Sequence, residues 1–266
     1  MDQLLALPVN LFNNLDVAWS FFLLLTRYVA LFSLIPGLGE GPRGLLARMP
    51  AVMVLAVVSV LQGPYAEPPH DWVMLLQAFA SEICLGAMLG MVPTMIIAGV
   101  DTAAQLSSTT MGLGAAQLMD PRLGGQSSAL GRICGSLVIC LFLLLGGHHV
   151  IIYAAAGLGG EIVPGTYLIG EGSLNLLMER SANIFKSGVM LSAPVIVALL
   201  LTQFLMGLIS KAVPTVNIFI VSFPLTIGIG LILTILALPE MIQYSRREML
   251  TLETQVSVVV QDAGVE

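Results

Sequence analysis

Apolar residues along this chain gather into six runs separated by short polar or Pro- and Gly-rich breaks. Val17 to Ile35 is the first run. At about 1.5 Å per residue it is long enough for roughly 30 Å of hydrocarbon, and it stops at Pro36-Gly37-Leu38-Gly39. Met49 to Leu61 is the second and is short for a span; Gln62-Gly63-Pro64 and Pro68-Pro69 break the chain behind it. Trp72 to Val100 follows, interrupted by Pro93, and Leu137 to Leu158 is broken by Gly146-Gly147 and His148-His149. Val189 to Leu208 contains Pro194, and Ile218 to Leu238 contains Pro224. The tail after Pro239 is polar enough to predict an exposed helix that fades out toward Asp262 to Glu266. The pattern predicts an all-α membrane protein of Pro- and Gly-broken helical hairpins in a single domain, 1–266. The short second run argues that not every run is a span.

Between the third and fourth runs, Asp101 to Arg132 is rich in Ser, Thr, Gly and Gln. It is too polar for lipid and too apolar for a free loop. Irregular backbone of this kind survives in a membrane where it lines a protein-walled cavity. Its central part, 107–131, carries Met111, Gly112, Gly114, Met119, Asp120, Pro121, Arg122, Gly124 and Gly125. The glycines give backbone freedom and the methionines pliant apolar contacts. The segment is expected to face a passage and to obstruct it; a surface loop is the plainer alternative. The chain also divides in two. Residues 1 to about 180 hold four runs and the insert, and 181–245 form a hairpin of two Pro-interrupted helices. The polar tail is 246–266. In the hairpin turn, Lys211 falls in a last helical turn, where the helix dipole favours a cation. Asn217 stands where a next helix begins, and Pro224, Gly228 and Gly230 allow that helix to bend.

Composition sharpens the membrane reading. Of 266 residues, 57% are hydrophobic and 10% charged, with a mean hydropathy of +0.95. A soluble domain carries about 25% charged residues, so this chain cannot coat itself against water. The net charge of −6 and the lack of a basic patch give nucleic-acid binding no support. Cys84, Cys134 and Cys140 lie inside apolar runs and read as small core residues, not a disulfide framework. The acidic start Met1-Asp2-Gln3 lacks the basic region of a cleaved signal peptide, so the first run is expected to be retained. Arg43, Arg48, Arg246 and Arg247 mark their connections as cytoplasmic, which places the N-terminus outside.

Few polar groups interrupt the runs. Ala78, Glu82, Gly86, Gly90 and Thr94 recur every four residues on one helix face, and the stripe continues through Asp101 and Gln105. It runs on through Ser108 and Gly112. Gly86 and Gly90 let another backbone approach closely. Glu82 facing lipid would cost about 2.5–3.5 kcal/mol, so it faces a partner or water. Arg27, mid-run in the first helix, needs a carboxylate or carbonyls, and Glu82 and Asp101 are available. Two readings stand: a seam against another subunit or a pore, and packing within the chain with Glu82 paired to Arg27. Adjacent His148 and His149 point to different faces and make a poor metal pair. There is no P-loop, GxSxG, HExxH or CxxC, so no catalytic, cofactor or metal site is expected and the chain is read as no enzyme.

The hairpin turn resembles the signature of the flagellar FliR family and its injectisome relatives, the SctT group. That signature is Arg-x-x-Pro-Gln-x-Asn-x-Phe followed by a Pro- and Gly-bearing helix. Lys211, Pro214, Asn217 and Phe219 fit the frame, followed by Phe223-Pro224-Leu225 and Gly228-x-Gly230-Leu231. Lys211 replaces the usual Arg and Thr215 the usual Gln. Arg27 with Pro36 and Gly39, then Arg43, Arg48 and Ala51, resemble the family's first helix and connection. Glu82 with Gly86 and Gly90, Asp120-Pro121, and Gly146-Gly147-His148 resemble further family motifs in the same order. The likeness covers about residues 15 to 245.

The resemblance implies a core subunit of the flagellar type III protein export gate in the bacterial inner membrane, at the flagellar basal body. One copy would join FliP- and FliQ-like subunits around a channel for unfolded export substrates, with membrane lipid outside. FlhB- and FlhA-like components would supply selection and coupling. Residues 1–180 would be FliP-like and 181–245 FliQ-like, with the insert as the channel's plug. Arg27, Glu82 and Asp101 would serve polar contacts. Two alternatives remain open: the corresponding subunit of an injectisome, and a self-contained proton-coupled transporter using Arg27, Glu82, Asp101 and His148.

Overall fold

The computed structural model describes residues 14–35, 41–113, 128–157, 162–213 and 217–261, without the side chains of 41–43, 45, 218 and 219. Among these residues the fold is all-α. The helices are α1 (Leu15–Leu34), α2 (Gly41–Gln62), α3 (Trp72–Thr110), α4 (Ala129–Leu144), α5 (Gly147–Ala155), α6 (Glu171–Ala212), α7 (Ile218–Leu250) and α8 (Leu252–Gln261).

Four stretches are long and apolar enough to cross a membrane: Leu15–Leu34, Trp72–Thr110, Glu171–Ala212 and Ile220–Gln261. The pair α4 and α5 passes the same test together but bends by 64° at its break. The break is where the glycines predicted it: Gly146 has φ 72°, a left-handed conformation that costs glycine nothing. The second run, Leu46–Gln62, is a shorter apolar helix, in keeping with its length in the sequence.

Three helices outrun their apolar runs. α3 continues ten residues past Val100, so Asp101 to Thr110, expected as irregular backbone, is helical. The reason is that its hydroxyls turn inward onto their own helix. Thr102, Ser107 and Thr110 each donate to the carbonyl four residues back, at 2.7, 2.9 and 3.0 Å, and so hide their polarity without leaving the helix. α6 begins at Glu171, well before Val189, and keeps Pro194 inside. α7 passes through both Pro224 and Pro239.

The chain forms two compact units that interleave in sequence. The first comprises Met1–Thr94, Gly146–Glu179 and Leu250–Glu266. Here α1 packs against α2 and α3, and α8 lies on α5. The tail helix is thus not simply exposed: Leu252, Gln255, Val256 and Val259 are buried. The second unit comprises Met95–Leu145 and Arg180–Met249. Its core includes Met111, Val195 and Leu199, with Leu113, Leu130, Ile229, Leu233 and Ala237 packed around them.

Candidate functional site

In the first unit, polar groups converge behind the α1–α3 crossing. Gly86 and Gly90 make that crossing possible. A Cβ on Gly86 would overlap the carbonyl oxygen of Arg27, and one on Gly90 would stand 2.9 Å from Leu34 Cβ. From Glu82 to Gly90 the stripe read from the sequence is therefore occupied by α1 of the same chain. Thr94 extends it, its hydroxyl 2.9 Å from the Leu34 carbonyl. Trp19 and Phe79 add an edge-to-face contact with centroids 5.4 Å apart.

Arg27 is 1% exposed and Glu82 0%. The guanidinium donates from Nε to Glu82 Oε2 at 2.5 Å and from Nη2 to Oε1 at 2.9 Å, a two-pronged match of fork and carboxylate. Its Nη1 donates to the Ala155 carbonyl at 2.9 Å, one of the free carbonyls at the end of α5. Glu82 Oε1 also accepts from Gly165 N–H at 2.6 Å. Gly165 has φ 86°, and its missing Cβ would come 3.1 Å from Ala78 Cβ and 3.2 Å from Leu23 Cδ1. One ion pair thus ties α1, α3, the end of α5 and the turn ahead of α6. Within the first unit, sequence residues 27, 82, 155 and 165 become neighbours.

Arg48, read in the sequence as marking a cytoplasmic connection, is buried. It donates to the carbonyls of Phe32 and Ile35, closing the C-terminal end of α1. Its position thus has a local, structural cause. The rings of His148 and His149 lie with centroids 4.0 Å apart, tilted by 38° to one another. Among the described residues no group of three His, Cys, Asp or Glu side chains could hold a metal, and the three cysteines are free thiols.

In the second unit, Asp101 accepts from Gln105 Nε2 at 2.7 Å, one turn along its own helix. A Cβ on Gly131 would stand 2.6 Å from Asp101 Oδ1, so α4 begins against this carboxylate. Sequence reasoning missed a second small-residue crossing, between α3 and α6. A Cβ on Gly188 would meet Thr102 Cγ2 at 2.7 Å, and one on Gly99 would meet Ser187 Oγ at 2.5 Å. Its signal was present as Gly99, Thr102 and Ala103 facing Ser187-Gly188. Arg180 and Glu248 pair across α6 and α7 and are 13% and 26% exposed.

Met111, placed in the insert by the sequence, is a core residue of this unit at 1% exposure. Gly112 ends α3 with φ 88°. The remaining insert residues singled out above, Gly114, Met119, Asp120, Pro121, Arg122, Gly124 and Gly125, lie outside the described residues, as do Pro214, Thr215 and the Phe219 side chain. Lys211 is in the last turn of α6, Asn217 immediately precedes α7, and Pro224 is inside α7. Lys211, Asn217 and Pro224 are exposed.

These features define a class: an all-α membrane protein whose buried polar groups lock helices together. A narrower identity comes from its relatives. The profile of the bacterial export proteins, family 1, matches residues 18–252, and the chain belongs to that family. It is 28% identical over 252 residues to the flagellar biosynthetic protein FliR of Bacillus subtilis, covering 90% of this chain and 94% of that one. It is 27% identical over 219 residues to the FliR of Escherichia coli, covering 82% and 84%. The Yop proteins translocation protein T of Yersinia pestis is 25% identical over 247 residues, covering 91% and 94%.

Proposed function

We propose that this chain is a core, non-enzymatic subunit of a flagellar type III protein export gate in the bacterial inner membrane. The family match along almost its whole length supports this, and several of its relatives are named flagellar biosynthetic proteins. The observation that carries the reading is a mismatch between helix length and bilayer. α6 has 42 residues, a contour of about 63 Å at about 1.5 Å per residue, against roughly 30 Å of hydrocarbon. Exposed apolar side chains extend along it from Leu174 to Ile209, and only 28% of its most apolar stretch is buried within the chain; for Ile220–Gln261 the figure is 17%. Lipid alone cannot cover a greasy face that long, so other subunits cover the rest. FliP- and FliQ-like subunits are the proposed cover, with FlhA- and FlhB-like components as further partners.

On this reading residues 1–180 act as the FliP-like part and 181–245 as the FliQ-like hairpin. The segment 107–131 is the plug of the channel, and unfolded export substrates pass where it withdraws. Arg27 and Glu82 serve as a fixed clasp within the subunit, because both are buried and held by hydrogen bonds to each other and to backbone groups. The Yersinia relative favours a second reading, the corresponding subunit of an injectisome. Deleting the gene separates the two. The flagellar reading expects loss of motility and of secreted flagellar proteins, both restored by the gene in trans. Loss of secreted virulence proteins with motility intact would assign the chain to the injectisome, and loss of neither would overturn the export reading.

A further inference from the structure

Four consecutive residues where α3 ends are gripped by α6 and α7 within the second unit. Gln203 Nε2 on α6 donates to the Thr110 carbonyl at 3.1 Å. The Met111 side chain fills the notch left by Gly230 on α7, whose Cβ would overlap it. The Phe223 ring on α7 lies 3.2 Å from where a Cβ of Gly112 would stand. Leu113 packs against the cluster of Met111, Val195 and Leu199. The Thr226 hydroxyl sits 3.4 Å from the Met111 carbonyl, a long contact shared with the Phe223 carbonyl at 3.1 Å. A helix end leaves carbonyls in need of partners, and here the hairpin supplies them.

We infer that the α6–α7 hairpin positions the root of the 107–131 segment, with Met111 and Gly230 as knob and notch and Phe223 as the stop behind Gly112. The inference draws its biological weight from the export-gate reading, but its geometry lies in residues 110–113 and their contacts on α6 and α7. It also gives the hairpin motif a physical reason. Gly230 is the residue that admits Met111, and Gly228, with nothing within 4 Å of its absent Cβ, is not. Pro224 follows Phe223 directly and removes one helical hydrogen bond there, so the segment of α7 bearing Phe223 and Gly230 is a natural point of bending. A cleft of about 370 Å³ beside Phe223, lined also by Met206, Gly207 and Ser210, gives the ring room to move. A bend of α7 at Pro224 would carry the end of α3 with it.

The test uses the full chain assembled with its partner subunits, with Cys84, Cys134 and Cys140 replaced by Ala and Leu113→Cys as the reporter. Its maleimide reaction rate reads the root directly. Gly230→Ala is expected to raise that rate about tenfold, Met111→Ala added to it to bring the rate back toward the parent, and Gly228→Ala to leave it unchanged. Should Gly230→Ala fail to assemble, Phe223→Ala is the second probe and is expected to raise the rate as well. An unchanged rate in an intact Gly230→Ala complex, independent action of the Met111 and Gly230 substitutions, or an unchanged rate for Phe223→Ala overturns the positioning role. Ion leak through a complex with residues 114–127 replaced by a Gly-Ser linker tests the plug reading separately, so the two failures are distinguishable.

Discussion

Arg27 on α1 and Glu82 on α3 stand 55 residues apart in sequence and meet through two hydrogen bonds, 2.5 and 2.9 Å, where neither is open to solvent. A buried ion pair of this kind is strongly destabilising to break, because the surviving charge is left without a counter-charge or water. Replacing both partners with apolar residues is far milder. Glu82→Gln is therefore expected to cost about 3–5 kcal/mol and lower the midpoint of thermal unfolding in detergent. The pair Arg27→Met with Glu82→Leu is expected to recover much of that loss. Recovery should be incomplete, since the Ala155 carbonyl and Gly165 N–H then lose their partners. A single variant as stable as the parent would remove the clasp from the account.

The glycines divide sharply by what surrounds them. Gly86→Ala drives a methyl into the Arg27 carbonyl, which is backbone and cannot swing away. Gly207→Ala meets nothing within 4 Å inside the chain, and alanine is the better helix former by about 1 kcal/mol. Protein yield and melting midpoint should fall for Gly86→Ala and hold or rise for Gly207→Ala when the isolated chain is measured in detergent.

Arg180 and Glu248 provide a contrast with the first pair. Both keep some solvent contact, so water can reach and stabilise a charge left alone there, as it cannot at Arg27 and Glu82. Glu248→Gln should shift the melting midpoint much less than Glu82→Gln, and added salt should shrink the Glu248→Gln shift further while leaving the buried pair's nearly unchanged. Equal shifts would mean that burial does not decide the strength of these pairs.

The last helix depends on α5 for its apolar face. Val256 is 2% exposed, so Val256→Asp places a charge in that contact. The expected result is release of α8 and faster tryptic cleavage after the exposed Arg246 and Arg247, read by mass spectrometry. Unchanged cleavage would argue that α8 is held by something other than this face.

Much of the architecture could be read from the chain because membrane physics leaves few options. Arg27 and Glu82 could not face lipid, Gly86 and Gly90 announced a close crossing, and Gly146-Gly147 announced a break. Helix ends were harder to see. Thr102, Ser107 and Thr110 look like loop residues until their hydroxyls are seen donating to carbonyls one turn back. Pro93, Pro194, Pro224 and Pro239 all sit inside helices, where local pattern suggested interruptions or an end. The docking of α8 on α5 was invisible because it joins segments distant in sequence through an apolar face only ten residues long. Burial of Met111 likewise depends on a notch at Gly230 that no local pattern predicts.

The central claim is that the long apolar faces of α6 and α7 are covered by other subunits, making this chain one part of a protein-conducting assembly. Native mass spectrometry of the tagged chain, purified gently from its own membranes, tests it most directly. The account predicts one copy in a complex with several FliP- and FliQ-like subunits. A monodisperse single chain that carries substrate across liposomes unaided would contradict it.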